Sequence, residues 1–319
     1  MSTFKILIVD YPWPDLEIES RILSEIDGEL IVAADSDAKT LSELAVDADA
    51  IMTCWAQVPQ SVIAASTRCK LVARFGIGLD NIDIDACTRR GIPVTNVPDY
   101  CMTEVAEHTI ALLFALARKV AFFHNETMNG RYDLNTGLPI RCIKGKTLGI
   151  VGFGRIGQCV AKKAIALGLR VMAHTRTPSD FPDVEFWSLA ELVAQSDFVS
   201  LHLPLADETR SIIGAPQFAA MKPTAFVINT SRGDLIDHTA LAEALDQGQV
   251  AGAALDVQSP EPPDLSQPPY CDPRVIVTPH AAFVSTESVK VLRERATQQV
   301  AARLKGEIPD HVVNPTVFK

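Results

Sequence analysis

One run of ten residues limits what this chain can fold into more than any other: Leu148-Gly149-Ile150-Val151-Gly152-Phe153-Gly154-Arg155-Ile156-Gly157. It places Gly-x-Gly-x-x-Gly directly behind an apolar stretch, Thr147–Val151, and at the opening of a helical pattern that runs to Gly168. In that context each glycine has a task. Gly152 permits a tight turn, Gly154 lets backbone approach a pyrophosphate, and Gly157 allows the helix to pack closely on the strand, while the first N–H groups of the helix face the anion. Arg155 adds a charge-assisted contact to the same phosphates. The spacing therefore predicts a dinucleotide-binding turn.

The next apolar stretch, Arg170–His174, ends where an acid that binds the ribose hydroxyls is expected, about 20 residues on. This chain has Thr175-Arg176-Thr177 there instead. An arginine can pair with a 2′-phosphate that an Asp or Glu would repel, so NADP(H) is expected in preference to NAD(H).

The same alternation of short strand and helix fills the rest of the sequence. Before the glycine turn, Lys5–Asp10, Glu29–Ala33, Ala50–Cys54, Leu71–Phe75 and Pro93–Asn96 read as strands; after it, Phe198–Leu201, Ala225–Asn229, Gly252–Val257 and Val275–Thr278 do. They are apolar without a break rather than alternating, as in parallel sheets covered by helices on both faces. A long helix is expected over Cys101–Phe123, a polar connection over Asn125–Lys146, and a final helix over about Thr286–Lys305. A chain of 319 residues, 47% of them hydrophobic, can bury two cores, so two domains are expected.

Composition removes several classes of partner. The net charge of −10 disfavours attraction to nucleic acid or an anionic membrane, so a small anionic substrate needs a local basic group. The opening Met1-Ser2-Thr3-Phe4-Lys5 leads into Ile6-Leu7-Ile8-Val9, too short to span a membrane and unlike a secretory signal, so a cytoplasmic location is expected. Seven scattered cysteines without any Cys-x-x-Cys suggest neither a disulfide framework nor a metal site.

In an open α/β sheet ligands lie beyond the carboxyl ends of the strands, and three ionisable residues follow strands closely. Arg232 follows Phe226-Val227-Ile228-Asn229-Thr230-Ser231, Glu261 lies five residues after Asp256, and His280 follows Val275-Ile276-Val277-Thr278-Pro279. Reduction of a keto acid needs a cation to orient the carboxylate and a proton donor for the developing alkoxide. Arg232 suits the first task. His280 suits the second, because imidazole titrates near operating pH and a carboxylate such as Glu261 favours the protonated ring.

With these residues assembled, the chain resembles the D-2-hydroxyacid dehydrogenase family, which includes phosphoglycerate dehydrogenases, glyoxylate and hydroxypyruvate reductases, and C-terminal-binding-protein corepressors. The likeness covers nearly the whole length. It is carried by Arg74-Phe75-Gly76-Ile77-Gly78-Leu79-Asp80-Asn81-Ile82-Asp83, Asn96-Val97-Pro98-Asp99-Tyr100, Val105-Ala106-Glu107-His108, the glycine turn, His202-Leu203-Pro204, Asn229-Thr230-Ser231-Arg232-Gly233, Leu255-Asp256-Val257 and Thr278-Pro279-His280-Ala281-Ala282.

The resemblance implies an α/β fold of two doubly wound parallel-sheet domains. Residues 1–100 plus 285–319 form a flavodoxin-like substrate domain, and residues 101–284 form a Rossmann domain that binds NAD(P) and pairs two chains into a homodimer. It implies Arg232, Glu261 and His280 as the catalytic set, and the N–H groups of Ile77 and Gly78 as donors to the substrate carboxylate. Further cofactor contacts are implied for Ile156, Thr175, Arg176, His202, Pro204, Thr209 and Thr230, with Asp256 at the nicotinamide amide. The implied substrates are small keto and hydroxy acids such as glyoxylate, hydroxypyruvate or 3-phosphoglycerate. With the sequence ending at Lys319, no serine-responsive regulatory domain is expected. The alternatives are a dinucleotide-sensing corepressor-like protein on the same scaffold, or a relative acting on formate or phosphite. This chain departs from the family pattern at Thr175-Arg176, at Phe283 where many members carry glycine, and at His311. The last two are expected to bear little on the chemistry.

Overall fold

The computed structural model describes residues 4–178 and 180–319. The chain folds as two compact units: residues up to Tyr100 together with Ser285–Lys319, and Cys101–Val284.

The first unit holds β1 (Phe4–Ile8), β2 (Gly28–Val32), β3 (Ala50–Thr53), β4 (Val72–Arg74) and β5 (Val94–Thr95), with helices α1 (Glu17–Ser24), α2 (Ala38–Ala45), α3 (Gln60–Ala65) and α4 (Ile84–Arg89) between them. The strands form one parallel sheet in the order β2-β1-β3-β4-β5, the flavodoxin-like arrangement. Side chains leave a strand on alternate faces, so each face builds its own core. Ile6, Ile8, Ala50, Met52, Leu71 and Ala73 line one face, and Leu7, Val9, Ile51, Val72 and Val94 the other. The first face is covered by Leu292, Ala296, Val300 and Leu304 of the C-terminal helix, Thr286–Leu304, which is why the last residues of the chain belong with the first. Burying each such Leu or Val is worth about 2 kcal/mol. The helix is also anchored by the buried pair of Arg293 Nη2 and Glu19, at 2.7 Å.

The second unit holds α5 (Met102–Arg118), α6 (Val120–Met128), β6 (Thr147–Val151), α7 (Arg155–Ala166), β7 (Arg170–His174), β8 (Val184–Phe186), α8 (Leu189–Gln195), β9 (Phe198–Leu201), α9 (Ala215–Ala220), β10 (Phe226–Asn229), α10 (His238–Asp246), β11 (Gly252–Leu255) and β12 (Val275–Val277). Its seven parallel strands run β12-β11-β10-β9-β6-β7-β8, so the chain reverses direction across the sheet between β6 and β9. This is the Rossmann order, and its switch point is where such sheets bind dinucleotides. Again both faces are packed: Leu148, Ile150, Val171, Ala173, Ile228 and Ala254 on one, Val151, Met172, Val199, Leu201, Val227 and Leu255 on the other.

The structure departs from the sequence reading in two places. The helix expected over Cys101–Phe123 breaks at Lys119, which takes a left-handed conformation (φ 52°), and the chain stays helical to Met128, inside the expected connection. The buried stripe of α5 ends at Leu116 and Ala117, and no residue of α6 is buried, so beyond Ala117 the core no longer holds the helix in line. The strand β8 was not foreseen. It has only three residues, sits at the sheet edge and exposes Glu185, which pairs with Arg170 on β7 at 2.7 Å.

Among the described residues no helix is long and apolar enough to cross a membrane, and no group of three or more His, Cys, Asp or Glu could hold a metal ion. All seven cysteines are free thiols.

Candidate active site

The carboxyl ends of β6, β7, β9, β10, β11 and β12 bring most of the expected residues of the second unit to one end of one sheet. At β6, Gly152 sits at φ +94°, and a Cβ there would collide with the His202 carbonyl at the end of β9. A Cβ on Gly157 would strike the Gly152 carbonyl. By contrast, Gly154 is exposed, with open space where its Cβ would be, and it caps α7 with no side-chain hydrogen bond. The first N–H groups of α7 are therefore left for an outside acceptor. Arg155 is exposed at the first helical position and Ile156 half-buried beside it. At the end of β7, Thr175 is half-buried and Arg176 exposed.

His202 is buried, and burial pushes its imidazole down to about 3, so the ring is neutral throughout the ordinary pH range. One nitrogen, Nε2, lies 2.8 Å from Ser200 Oγ; the other, Nδ1, is buried without a hydrogen-bond partner among the described residues. An orphaned polar atom beside an open glycine turn fits a site shaped for a bound molecule. Further along the same loop, Pro204 is exposed and its carbonyl accepts from Thr209 Oγ1 at 2.8 Å, so the Thr209 hydroxyl braces the loop. The Thr230 hydroxyl, also buried, is shared with Thr109 of α5 at 3.0 Å.

The residues expected to act as acid and base lie on the next loops. His280 Nδ1 is 2.8 Å from Glu261 Oε2, and Glu261 Oε1 accepts from the Gln258 N–H at 2.9 Å, so both carboxylate oxygens are engaged. Arg232 is half-buried after β10, with Nη1 donating to the Ser231 carbonyl at 2.8 Å. His280 itself has φ +52°, a conformation that β-carbon crowding normally disfavours.

Asp256 explains how that conformation is held. Its carbonyl accepts from the His280 N–H at 2.7 Å, and its carboxylate accepts from the N–H groups of Ala281 and Ala282 at 2.9 and 2.8 Å and from Thr278 Oγ1 at 2.6 Å. His108 of α5 approaches the same carboxylate at 3.4 Å. Burial alone would raise the Asp256 carboxyl, but these hydrogen bonds, led by His108 and Thr278, hold it below the ordinary carboxylate range. Asp256 thus braces the turn that presents His280. The role of His108 had no signal in the sequence beyond its place in a family-like motif, because its partners lie far along the chain. Phe283, a departure expected to matter little, packs its ring edge-on against His280 at 6.1 Å, so it helps to define that ring's surroundings.

In the first unit, the loop after β4 turns its carbonyls inward. Gly76 O accepts from the Val97 N–H at 3.0 Å and Ile77 O from Asn96 Nδ2 at 2.8 Å. The N–H groups of Ile77 and Gly78 donate to no acceptor among the described residues.

Known proteins are similar to this chain in sequence and fold. The sequence profile described as D-isomer specific 2-hydroxyacid dehydrogenase, NAD binding domain, matches residues 110–282. The chain is 38% identical over 316 residues to a D-3-phosphoglycerate dehydrogenase of Methanocaldococcus jannaschii, covering 97% of this chain and 59% of that protein's length. It is 37% identical over 318 residues to a glyoxylate reductase of Korarchaeum cryptofilum, covering 95% of each. An NADPH-dependent glyoxylate/hydroxypyruvate reductase from Sinorhizobium meliloti, solved with NADP and malonate, superposes with a TM-score of 0.89 at 28% identity, over 99% of this chain and 98% of that one. By fold, profile and relatives the chain belongs to the D-isomer-specific 2-hydroxyacid dehydrogenase family, as an NAD(P)-dependent oxidoreductase of 2-hydroxy acids.

Proposed function

We propose that this enzyme reduces small 2-keto acids of the glyoxylate and hydroxypyruvate type to D-2-hydroxy acids, using NADPH in preference to NADH. The His280–Glu261 pair, 2.8 Å apart on strand-end loops of a Rossmann sheet, carries the proposal. Because a carboxylate only accepts, Glu261 fixes the hydrogen on Nδ1, which makes Nε2 the nitrogen that exchanges a proton with substrate. In the reducing direction His280 delivers that proton to the developing alkoxide, and in the oxidising direction the neutral ring removes it. Arg232 orients the substrate carboxylate and polarises the carbonyl. Ile77 and Gly78 offer N–H donors for a substrate carboxylate, the role that makes residues 1–100 with 285–319 the substrate domain. Residues 101–284 form the cofactor domain. When bound there, the reduced nicotinamide supplies hydride to the keto carbon. His202 and the uncapped start of α7 hold its nucleotide, with further contacts from Pro204, Thr209 and Thr230.

Three observations support NADPH. No acid follows β7, Arg176 stands exposed in its place, and the structural relative from Sinorhizobium meliloti is NADPH-dependent. The exposed apolar side chains of α6 and the segment after it support a homodimer built on the cofactor domain, and the seven free thiols suit a cytoplasmic setting. Nothing in the site favours a dinucleotide-sensing role without turnover.

The proton-transfer assignment is tested by His280→Asn. Turnover of glyoxylate should fall by roughly 10²–10⁴, the usual contribution of a positioned acid, while NADPH still binds. Turnover close to wild type would exclude His280 as the donor.

A further inference from the structure

The loops that carry Arg232 and Glu261 are joined by side chains that no catalytic step uses. His238, the first residue of α10, places Nε2 3.1 Å from the Gly233 carbonyl, and its Nδ1 is hydrogen-bonded to the Tyr270 hydroxyl. A carbonyl only accepts, so Nε2 bears the hydrogen and, in the neutral ring, Nδ1 accepts from Tyr270. Burial holds His238 below the ordinary imidazole range against the nearby charges of Asp234 and Asp237, which favours that neutral form. Burial raises the Tyr270 hydroxyl above the ordinary phenol range, and the backbone N–H of Ser259 acts against that rise. The two rings pack edge-on with centroids 5.5 Å apart.

A parallel link runs beside this one. Hydrogen bonds from Ser259 and Arg210 hold the Asp234 carboxyl below the ordinary carboxylate range. At Gly233 the two loops meet backbone to backbone: a Cβ there would collide with the Gln258 carbonyl and stand 2.8 Å from the Ser259 nitrogen. The segment Ser259-Pro260-Glu261-Pro262-Pro263 needs such anchors, because three of its five residues are prolines without an N–H to donate.

We infer that Tyr270 and His238 are positioning residues for the reduction, forming with the Gly233 carbonyl and the Ser259 N–H a relay that fixes the loop of Arg232 relative to the loop of Glu261. The inference rests on the reading of Arg232, Glu261 and His280 as the catalytic set. Arg232 is the residue before Gly233, and Glu261 stands two residues after Ser259. Glu261 orients His280 through a single 2.8 Å contact, so a small drift of its loop misdirects the proton donor while the nucleotide site on β6 and α7 is untouched.

Tyr270→Phe tests the relay, since it removes the hydroxyl and keeps the ring that packs on the core. With NADPH and glyoxylate, kcat should fall roughly tenfold while the KM for glyoxylate and the Kd for NADPH stay within about twofold. His238→Gln, which discards the Nδ1 acceptor and keeps an amide donor, should show the same loss, and the double variant should lose no more than either alone, because one chain is broken only once. A merely structural contact would lower Tm without this split, and its losses would multiply in the double variant. Wild-type kcat in Tyr270→Phe, or multiplied losses in the double variant, would overturn the relay alone. Absence of any keto-acid reduction by the wild-type enzyme would instead remove the catalytic reading, and the relay with it.

Discussion

At the scale of single residues, burial sets the form of His202, and hydrogen bonds set that of Asp256. His202 is the clearest case. In the unfolded chain its imidazole takes a proton near pH 6.5, whereas the folded ring resists protonation down to about 3. As pH falls through that window the unfolded state binds the extra proton, so stability declines with acid, by about 1.4 kcal/mol per pH unit from this group alone. Urea unfolding between about pH 6 and about pH 4.5 should therefore show a shallower loss of stability in His202→Gln than in the wild type. Equal slopes would mean that the buried ring is not the source. Asp256 acts in the same sense at lower pH: its carboxyl is held down in the fold, so the stability it contributes is present above the unfolded carboxylate value and is lost as pH falls through the folded one.

The elements around the site differ in how much of themselves they write into the sequence. The placing of Arg232, Glu261 and His280 beyond strand ends was legible because each follows a continuous apolar run, and strand ends are where an open sheet places ligands. The glycine turn was legible because its residues answer steric demands that lie a few positions away. Asp256 as the brace of the His280 turn was not, since its partners come from Thr278, Ala281, Ala282 and His108, brought together only by folding. The Lys119 break was hidden for a related reason: neither Pro nor Gly marks it, and it reflects the end of a packing surface. Beyond that break the chain exposes apolar side chains in succession. Met128 is 73% exposed, Tyr132 94% and Leu134 68%, a cluster that water alone would not favour. Light scattering should give the mass of two chains for the wild type and of one for Tyr132→Glu combined with Leu134→Glu. A wild-type mass of one chain would rule out the homodimer.

Taken whole, the protein is acidic, with a net charge of −10. That balance disfavours large polyanions, and under the proposed function a small anion is met by the local guanidinium of Arg232. Two parallel sheets, each packed on both faces, end in the loops that bear the expected site residues. The central claim is that these loops perform keto-acid reduction with a nicotinamide nucleotide, and it is most directly tested by mixing purified protein with glyoxylate or hydroxypyruvate, with NADPH and NADH in parallel, and following nicotinamide absorbance. Oxidation of the nucleotide is expected with both acids, at a higher kcat/KM for NADPH than for NADH. Faster use of NADH would contradict the role given to Arg176, and no oxidation with either acid and either nucleotide would contradict the account as a whole.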